Sequence, residues 1–338
     1  MTNPTILSAY DVILSDLDGV AYRGNSPAIG AIEGFQYAKE NGVRVVYMTN
    51  NSARIPEDTA AHLTEIGIPT QGGDVVTSAI TGVMLLAKLV PPGAKVLPLG
   101  AQGVIQALIE GGFTLVDSAD DHPEAVLHGL NPEATWLQLS EAALAIERGA
   151  QYIATNIDAT LPKERGEYLG NGSLVAAVSH ATGVVPPSSG KPEPAMYELA
   201  LEKSGGKKPL VIGDRLDTDI LGANRARFDS AHVLTGVTSM RQVMLADPDQ
   251  RPTHQIFDLR DLSAPIEQPI FSEGGVSVGN TRVQIADQTI LIDSAPIETT
   301  GFELTLSQYQ ALVALVWQEI DSGRDMSWIP ECQPISSR

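Results

Sequence analysis

The sequence predicts an α/β protein whose core is a Rossmann-like, doubly wound parallel sheet. Short apolar runs rich in branched residues, such as 12–14 and 209–212, alternate with stretches of helical periodicity. An aspartate stands two residues after each of these runs, as at the ligand-facing end of such a sheet. The chain has 338 residues, which is more than a single hydrophobic core usually takes. We therefore expect two or three domains.

The first part of the chain contains the beginning of this sheet. In order, the predicted elements are strand 12–14, helix 31–41, strand 43–48, helix 56–66 and a third unit that opens at 74–78. Gly42 and Gly67 follow the two helices, where glycine is favoured because it adopts the left-handed backbone conformation without steric cost. Strands that alternate with helices in this way form parallel sheets.

Residues 85–185, which we call the cap segment, contain a second series of strands and helices. Its predicted strands are 95–99, 125–128 and 152–155, and its predicted helices are 104–110, 136–148 and 172–181. We expect an inserted α/β domain here, with the catalytic core made of residues 1–84 and 186–245. A domain inserted in this way can close over a site and exclude water.

The last part of the chain has a different character. A polar, proline-containing break at 247–252 precedes residues 275–293, whose alternation of apolar and polar residues predicts a hairpin. Residues 304–320 have the pattern of an amphipathic helix. We expect residues 246–338 to form a small α+β extension, and this extension contains no catalytic motif of its own.

The composition argues against several classes of partner. A net charge of −19 disfavours nucleic-acid binding, because phosphate backbones repel such a surface. No apolar run approaches the roughly 20 residues that span a bilayer, and the first residues lack the features of a signal peptide. The single cysteine, Cys332, excludes a disulfide framework and a multi-cysteine zinc site. We expect a cytoplasmic soluble enzyme, with Cys332 a thiol in the tail that has no role.

Two aspartates, Asp16 and Asp18, follow the first predicted strand. Carboxylates this close repel each other, so that a cation must compensate them or chemistry must use them. Polar residues also follow the other strands and precede the helix after Pro192. They are Thr49, Asn50 and Asn51, then Lys191, then Asp214 and Asp219. Parallel strands placed side by side would bring these groups to the same edge of the sheet.

Four segments in this order resemble the motifs of the haloacid dehalogenase superfamily. The segments are Asp16-Leu17-Asp18-Gly19-Val20, Thr49-Asn50-Asn51-Ser52, Gly190-Lys191-Pro192 and Gly213-Asp214 through Asp219-Ile220. The similarity covers roughly residues 8–245 and is closest to the large-cap (C2-type) phosphatases related to nitrophenylphosphatase and phosphoglycolate phosphatase. It implies the Rossmann-like core and the inserted cap that the element pattern predicts.

The resemblance also implies roles for individual residues. Asp16 would be the nucleophile that forms an aspartyl-phosphate, and Asp18 the general acid and base. Mg²⁺ would be held by Asp16, Asp214 and the main-chain carbonyl of Asp18, because it prefers hard oxygen ligands. Asp219 would orient a metal-bound water or pair with Lys191. Asp217 we assign to capping the following helix.

The phosphoryl group would be bound by the second and third motifs. The Thr49 hydroxyl and the Asn50 amide would donate hydrogen bonds to it, with Asn51 beside them, and Lys191 would supply a fixed positive charge. In the cap segment, residues 154–162 resemble the specificity loop of large-cap phosphatases. There Asn156 and Asp158 either bind a polyol substrate or stabilise the loop through local turns.

The sequence thus predicts a Mg²⁺-dependent phosphatase for a small phosphorylated metabolite. The extension after a large cap resembles that of actinobacterial glycerol 3-phosphate phosphatases, which has the shape of an acetyltransferase, and this favours glycerol 3-phosphate. Phosphoglycolate, broad dephosphorylation of sugar and nucleotide phosphates, and transfer of the phosphoryl group to another acceptor remain alternatives. A further alternative is a phosphatase core that a ligand-binding C-terminal module regulates. A homodimer through the cap is also possible.

Overall fold

A computed structural model describes residues 4–163, 165–297 and 302–335. Residues at the extreme N-terminus, on which the signal-peptide prediction rests, and parts of the predicted 246–338 extension lie outside the described residues. The chain divides into two compact units. The first consists of Met1–Arg23, Pro27–Arg44 and Lys208–Arg338, and the second of Gly24–Ser26 and Val45–Lys207. The division into core, cap and extension at the predicted boundaries remains a prediction.

The first unit contains four parallel strands. From one side to the other they are His254–Ile256, Asp229–Val233, Pro209–Gly213 and Val12–Asp16. The last of these is buried at every position, as a strand covered on both faces should be. The helix that follows this strand in the chain, Ala31–Glu40, ends before Gly42, which has a φ of 74°. The strand and helix were therefore predicted correctly, within a residue or two at their ends.

The second unit contains the strand Arg44–Thr49 from Val45 onward, which is parallel to the strand Val75–Thr77. It continues with a four-stranded parallel sheet in the cap segment, ordered Thr114–Leu115, Lys95–Leu99, Ala125–His128 and Gln151–Ala154. Its helices are Pro56–Glu65, Ser78–Leu86, Gln102–Glu110, Trp136–Glu147, Asn171–Thr182 and Pro194–Ser204. The hairpin Thr160–Lys163 with Gly166–Leu169 begins within the predicted specificity loop, at residues 160–162. This series of strands and helices matches the sequence pattern.

The C-terminal region carries an antiparallel sheet and one long helix. The strands, in both chain and sheet order, are Ile270–Ser272, Gly275–Val278, Thr281–Ala286, Thr289–Ile292 and Ala295–Pro296. The antiparallel hairpin predicted at 275–293 is present, and it extends to three strands joined by two turns. The helix Leu306–Asp321 begins two residues later than predicted, because Thr305 accepts a hydrogen bond from Gln308 N–H as its N-cap.

The C-terminal region shares a hydrophobic core with the rest of the first unit. Tyr309, Leu312 and Val316 from the long helix are buried with Ile220 and Val243. Cys332, expected to have no role, is also buried in this core, with its Sγ 3.8 Å from Met240 Sδ. Burial raises the pKa of the Cys332 thiol to about 12, so the group packs as a small apolar side chain.

Among the described residues, no helix is long and apolar enough to cross a membrane.

Candidate active site

Three buried carboxylates of the first unit lie together at one edge of its parallel strands. Asp16 ends the strand Val12–Asp16, and Asp214 directly follows the neighbouring strand Pro209–Gly213. Asp219 lies in a single turn of π-helix, Leu216–Ile220, an irregularity often found at functional sites. One oxygen from each carboxylate lies within 4.8 Å of the other two.

Backbone groups hold two of these carboxylates in place. Val237 N–H donates to Asp214 Oδ2 at 2.7 Å, and Arg215 N–H donates to Asp219 Oδ2 at 3.2 Å. Gly19 makes the approach to Asp214 possible, since a Cβ there would lie 2.6 Å from Asp214 Oδ2. Its φ of 87° also favours glycine. The loop that follows Asp16 therefore depends on a residue without a side chain.

His232 supports the same site and was missed in the sequence, where the six histidines showed no informative spacing. It is fully buried on the strand Asp229–Val233, and its Nε2 lies 3.1 Å from the main-chain oxygen of Asp214. Burial lowers the pKa of His232 to about 4, so the ring is neutral at pH 7. Because a carbonyl oxygen can only accept, Nε2 carries the proton and donates it. Thr235, just beyond this strand, donates to the Gly19 carbonyl at 2.6 Å.

Asp18 and Asp217 lie outside the carboxylate cluster. Asp18 is exposed, and its predicted contribution to the metal through its main-chain carbonyl remains a prediction. The capping role predicted for Asp217 is wrong. Its carboxylate accepts from Arg215 Nε and Nη2 at 3.1 and 2.8 Å, and both side chains are exposed. The guanidinium of Arg215 donates one hydrogen bond to each carboxylate oxygen of Asp217, which is the paired geometry that arginine and carboxylate groups favour.

The cluster fits a magnesium ion. Its donors are carboxylate oxygens, the hard ligands that Mg²⁺ prefers. Asp16 is 7% exposed, and Asp214 and Asp219 are each 1% exposed. Buried like charges at this distance need a compensating cation. The predicted cofactor therefore agrees with the donor set, and Asp219 lies close enough to the other two either to coordinate or to orient a water.

The predicted phosphate-binding residues lie in the second unit. Thr49 ends the strand Arg44–Thr49 and is 5% exposed, and its Oγ1 accepts from Asn51 N–H at 3.0 Å. Asn51 Oδ1 in turn accepts from Ala53 N–H at 2.9 Å. Lys191 is 4% exposed. A hydroxyl and successive backbone amides at a strand end form a natural anion site.

The two cap residues predicted to bind substrate differ in their surroundings. Asn156 is 4% exposed, its Nδ2 donates to Asn50 O at 2.8 Å, and its Oδ1 accepts from Asp158 N–H at 3.3 Å. Both ends of its carboxamide are therefore used within the protein, as in the alternative in which the residue stabilises the loop. Asp158 is half-buried, and its carboxylate accepts from Asn50 Nδ2.

Comparison with known proteins identifies the class. Residues 13–114 match the family described as haloacid dehalogenase-like hydrolase, and residues 188–262 match one described as HAD-hydrolase-like. The chain belongs to the haloacid dehalogenase-like hydrolases, as its four motifs predicted.

Two of its relatives are phosphatases. The D-glycerol 3-phosphate phosphatase of Mycobacterium tuberculosis is 43% identical over 258 residues, or 76% of this chain and 72% of the relative. The acid sugar phosphatase of Staphylococcus saprophyticus subsp. saprophyticus is 37% identical over 261 residues, or 77% and 99%. The crystal structure of a Mycobacterium tuberculosis glycerol phosphate phosphatase with magnesium matches with a TM-score of 0.82 and 37% identity. The match covers 94% of this chain and 93% of that one. The predicted Rossmann-like fold, phosphatase class and magnesium cofactor are confirmed.

Removal of the metal should abolish activity. EDTA should stop turnover and Mg²⁺ restore it, while Ca²⁺ should bind yet inhibit because its looser, higher coordination tolerates a bidentate Asp16. Asp214→Ala should sharply raise the Mg²⁺ concentration needed for half-maximal activity. Asp217→Ala, an exposed neighbour outside the cluster, is the matched control and should keep the wild-type requirement. Full turnover in chelator would contradict the metal site.

Proposed function

We propose that the protein hydrolyses a small phosphate monoester through an aspartyl-phosphate on Asp16, with glycerol 3-phosphate as the preferred substrate. The observation that carries this proposal is the buried cluster of Asp16, Asp214 and Asp219 beside an exposed Asp18. Together these four residues provide a nucleophile, cation ligands and an acid. Phosphoryl transfer needs little else besides positioning and neutralisation of charge.

In the first step a carboxylate oxygen of Asp16 attacks phosphorus, and the bond from phosphorus to the ester oxygen breaks. Asp18 gives its proton to the departing alkoxide. Thr49, the main-chain amide of Asn50, and Lys191 bind the phosphoryl oxygens. Asn51 fixes the loop, because its side-chain Oδ1 accepts from Ala53 N–H.

In the second step water attacks phosphorus of the aspartyl-phosphate. Asp18, now a carboxylate, takes the proton from that water, inorganic phosphate leaves, and Asp16 is regenerated. Asp16, Asp214 and the main-chain carbonyl of Asp18 would hold Mg²⁺, which would supply positive charge to the phosphoryl oxygens. Asp219 orients this set from the π-helical turn.

The choice of substrate rests on the relatives and on Asp158. A relative at 43% identity is named a D-glycerol 3-phosphate phosphatase, and a half-buried carboxylate suits hydrogen bonds from the hydroxyl groups of a polyol. The alternative, a sugar phosphate, is favoured by the acid sugar phosphatase at 37% identity. Initial rates over a panel with glycerol 3-phosphate, phosphoglycolate, sugar phosphates and nitrophenyl phosphate decide between them. A higher kcat/KM for phosphoglycolate or a sugar phosphate would reject glycerol 3-phosphate, whereas nitrophenyl phosphate serves only as a reference substrate because its leaving group needs no proton.

Asp18→Asn should slow the first step according to the leaving group. Nitrophenolate departs without a proton, whereas an alkoxide needs one, so the loss should be much smaller for nitrophenyl phosphate than for glycerol 3-phosphate. Single-turnover rates of aspartyl-phosphate formation with both substrates test this. Equal losses would show that Asp18 acts through metal geometry instead.

Three further expectations belong to this proposal. The C-terminal region could bind a ligand that regulates the core, and calorimetry of the whole protein with candidate metabolites would detect it.

Pairing of two copies through the cap is supported by the exposure of two large apolar side chains, Trp136 at 80% and Leu137 at 62%. Sedimentation would give the mass of the assembly. Cell fractionation would test the cytoplasmic location.

A further inference from the structure

The side chain of Asn50 binds the main chain of Lys191 at two points. Its Oδ1 accepts from Lys191 N–H at 2.8 Å, and its Nδ2 donates to Lys191 O at 3.1 Å. One carboxamide thus fixes both backbone groups of a residue 141 positions away in the sequence. We call this set of contacts the Asn50 clamp.

The same carboxamide also reaches the loop of the cap segment. Asn50 Nδ2 lies 3.1 and 3.3 Å from the two carboxylate oxygens of Asp158. A carboxamide has one acceptor oxygen and two donor hydrogens. The contacts with Lys191 and Asp158 use all three, and Asn50 therefore links the two residues directly.

Surrounding groups hold the Asn50 clamp in place. The main-chain oxygen of Asn50 accepts from Ser78 Oγ at 2.6 Å and from Asn156 Nδ2 at 2.8 Å. Gly190 leaves room for it, since a Cβ there would lie 2.5 Å from Asn50 Oδ1. The glycine before Lys191 is therefore explained by the approach of Asn50.

We propose that Asn50 is a positioning residue for Lys191, and that Asp158 acts on Lys191 through Asn50 in addition to contacting substrate. This inference rests on the proposed function, in which Lys191 binds the phosphoryl oxygens. It concerns the side chain of Asn50, whereas the phosphate contact proposed above uses its main-chain amide.

The physical reason is the flexibility of lysine. A lysine ammonium stands at the end of a four-carbon stem, so its position is defined only if the backbone that carries it is fixed. Misplacing a reacting or binding group by about 1 Å can cost roughly 100-fold in rate. Two hydrogen bonds from one planar carboxamide fix both the position and the orientation of the Lys191 backbone. A carboxylate oxygen accepts several hydrogen bonds, so Asp158 can serve Asn50 and a substrate hydroxyl together.

A double-mutant cycle between Asn50 and Lys191 tests positioning. We expect Asn50→Ala to lower kcat with nitrophenyl phosphate and to weaken inhibition by inorganic phosphate by roughly 10- to 100-fold. In a Lys191→Ala background the same change should cost less than about threefold, because the group that it positions is gone. Losses that multiply in the double variant would overturn the proposal. Near wild-type activity of Lys191→Ala alone would instead refute the proposed phosphate site.

Asn50→Asp is a second variant that preserves shape. It keeps the acceptor for Lys191 N–H but replaces the donor group with an oxygen that faces Lys191 O and the Asp158 carboxylate. We expect a loss at least as large as that of Asn50→Ala, partly reversed by adding Asp158→Asn, which restores a donor between the two side chains. Melting temperatures identify any variant that is unfolded. A folded Asn50→Asp with wild-type kcat and wild-type phosphate inhibition would overturn the proposal.

Asp158→Ala separates its two roles. Nitrophenyl phosphate has no hydroxyl group for Asp158 to bind, so a contact with substrate alone predicts wild-type kinetics with it. The proposal predicts a lower kcat and weaker phosphate inhibition even with this substrate. Asp120→Ala, an exposed aspartate of the cap segment whose side chain is 85% exposed, and Asn41→Ala, an exposed asparagine, are matched controls that should behave as wild type. An effect of Asp158→Ala confined to hydroxylated substrates would overturn its link to Lys191.

Discussion

Asp16→Asn should reduce kcat by about three orders of magnitude or more, which corresponds to roughly 4 kcal/mol of activation free energy. The substitution removes the nucleophilic charge and one oxygen ligand of the metal while it barely changes the volume of the side chain. Because Asp16 ends a strand that is buried at every position, an isosteric replacement is needed to keep the sheet intact.

The Asp16→Asn variant should lose activity but should be at least as stable as the wild type when no metal is bound. Without metal, Asp16 is one of three buried carboxylates whose oxygens lie within 4.8 Å of one another, and removing one of them relieves repulsion. In EDTA, the melting temperature of Asp16→Asn should therefore equal or exceed that of the wild type. Asp120→Asn is an exposed control for the chemical change. More than a tenth of wild-type turnover in pure Asp16→Asn would reject Asp16 as the nucleophile.

The acidic part of the site could be predicted because strand periodicity and strand ends are local features. Asp16 and Asp214 each follow an apolar run, and adjacent parallel strands bring such ends together. Asp219 lies only a few residues further along the chain. The sequence alone therefore predicts that Asp16, Asp214 and Asp219 lie at one edge of the sheet.

Other parts of the site depend on contacts that no local pattern reveals. His232 and Val237 N–H support Asp214 from segments 18 and 23 positions away, and a buried histidine that donates to a carbonyl has no sequence signature. Asn50 belongs to a recognised motif, but its side-chain bonds to Lys191 depend on how two distant loops meet. Asp217 was wrongly assigned to a helix cap because an aspartate near the start of a helix can either cap it or pair with a neighbouring arginine such as Arg215. The sequence alone does not distinguish these two roles.

The C-terminal region was predicted to be a small extension without a catalytic motif, and its packing makes it part of the hydrophobic core of the first unit. Ile220, from the π-helical turn that carries Asp219, is buried in the same cluster as Tyr309 and Leu312 of the long helix. Trp317 Nε1 donates to Val243 O at 3.0 Å. The absence of a catalytic motif in this region therefore does not make it dispensable, because it packs directly behind the turn that carries Asp219.

Polar contacts reinforce this packing. Arg251 makes a bidentate ion pair with Asp321, at 2.8 Å for each bond, and its guanidinium lies 5.3 Å from the Trp317 ring centroid. Arg241 donates to the main-chain oxygens of Ile329 and Ser327, both at 2.7 Å. The segment 247–252, which the sequence marks as a polar, proline-containing break, is therefore anchored to the long helix through Arg251.

Deleting residues 246–338 should leave the catalytic core unable to fold stably, with loss of soluble protein and of activity. The deletion exposes Leu216, Ile220, Met240, Val243 and Met244, which are all buried against the C-terminal region. Each fully buried apolar side chain contributes roughly 1.5–3 kcal/mol, so five of them approach the whole stability of a typical domain, about 5–15 kcal/mol. Solubility and circular dichroism of the truncated protein measure this directly.

Point variants test the same idea in soluble protein. Tyr309 is fully buried and stacks on Phe257 with ring centroids 6.1 Å apart. Tyr309→Ala should therefore lower the free energy of unfolding by about 3–5 kcal/mol. It should also raise the Mg²⁺ concentration needed for activity, because the turn that carries Asp219 loses packing. Tyr309→Phe is the matched control. Its hydroxyl has no hydrogen-bond partner among the described residues, so removing it should leave stability unchanged or raise it. A soluble, folded deletion variant with the wild-type Mg²⁺ requirement would show that the C-terminal region does not support the active site.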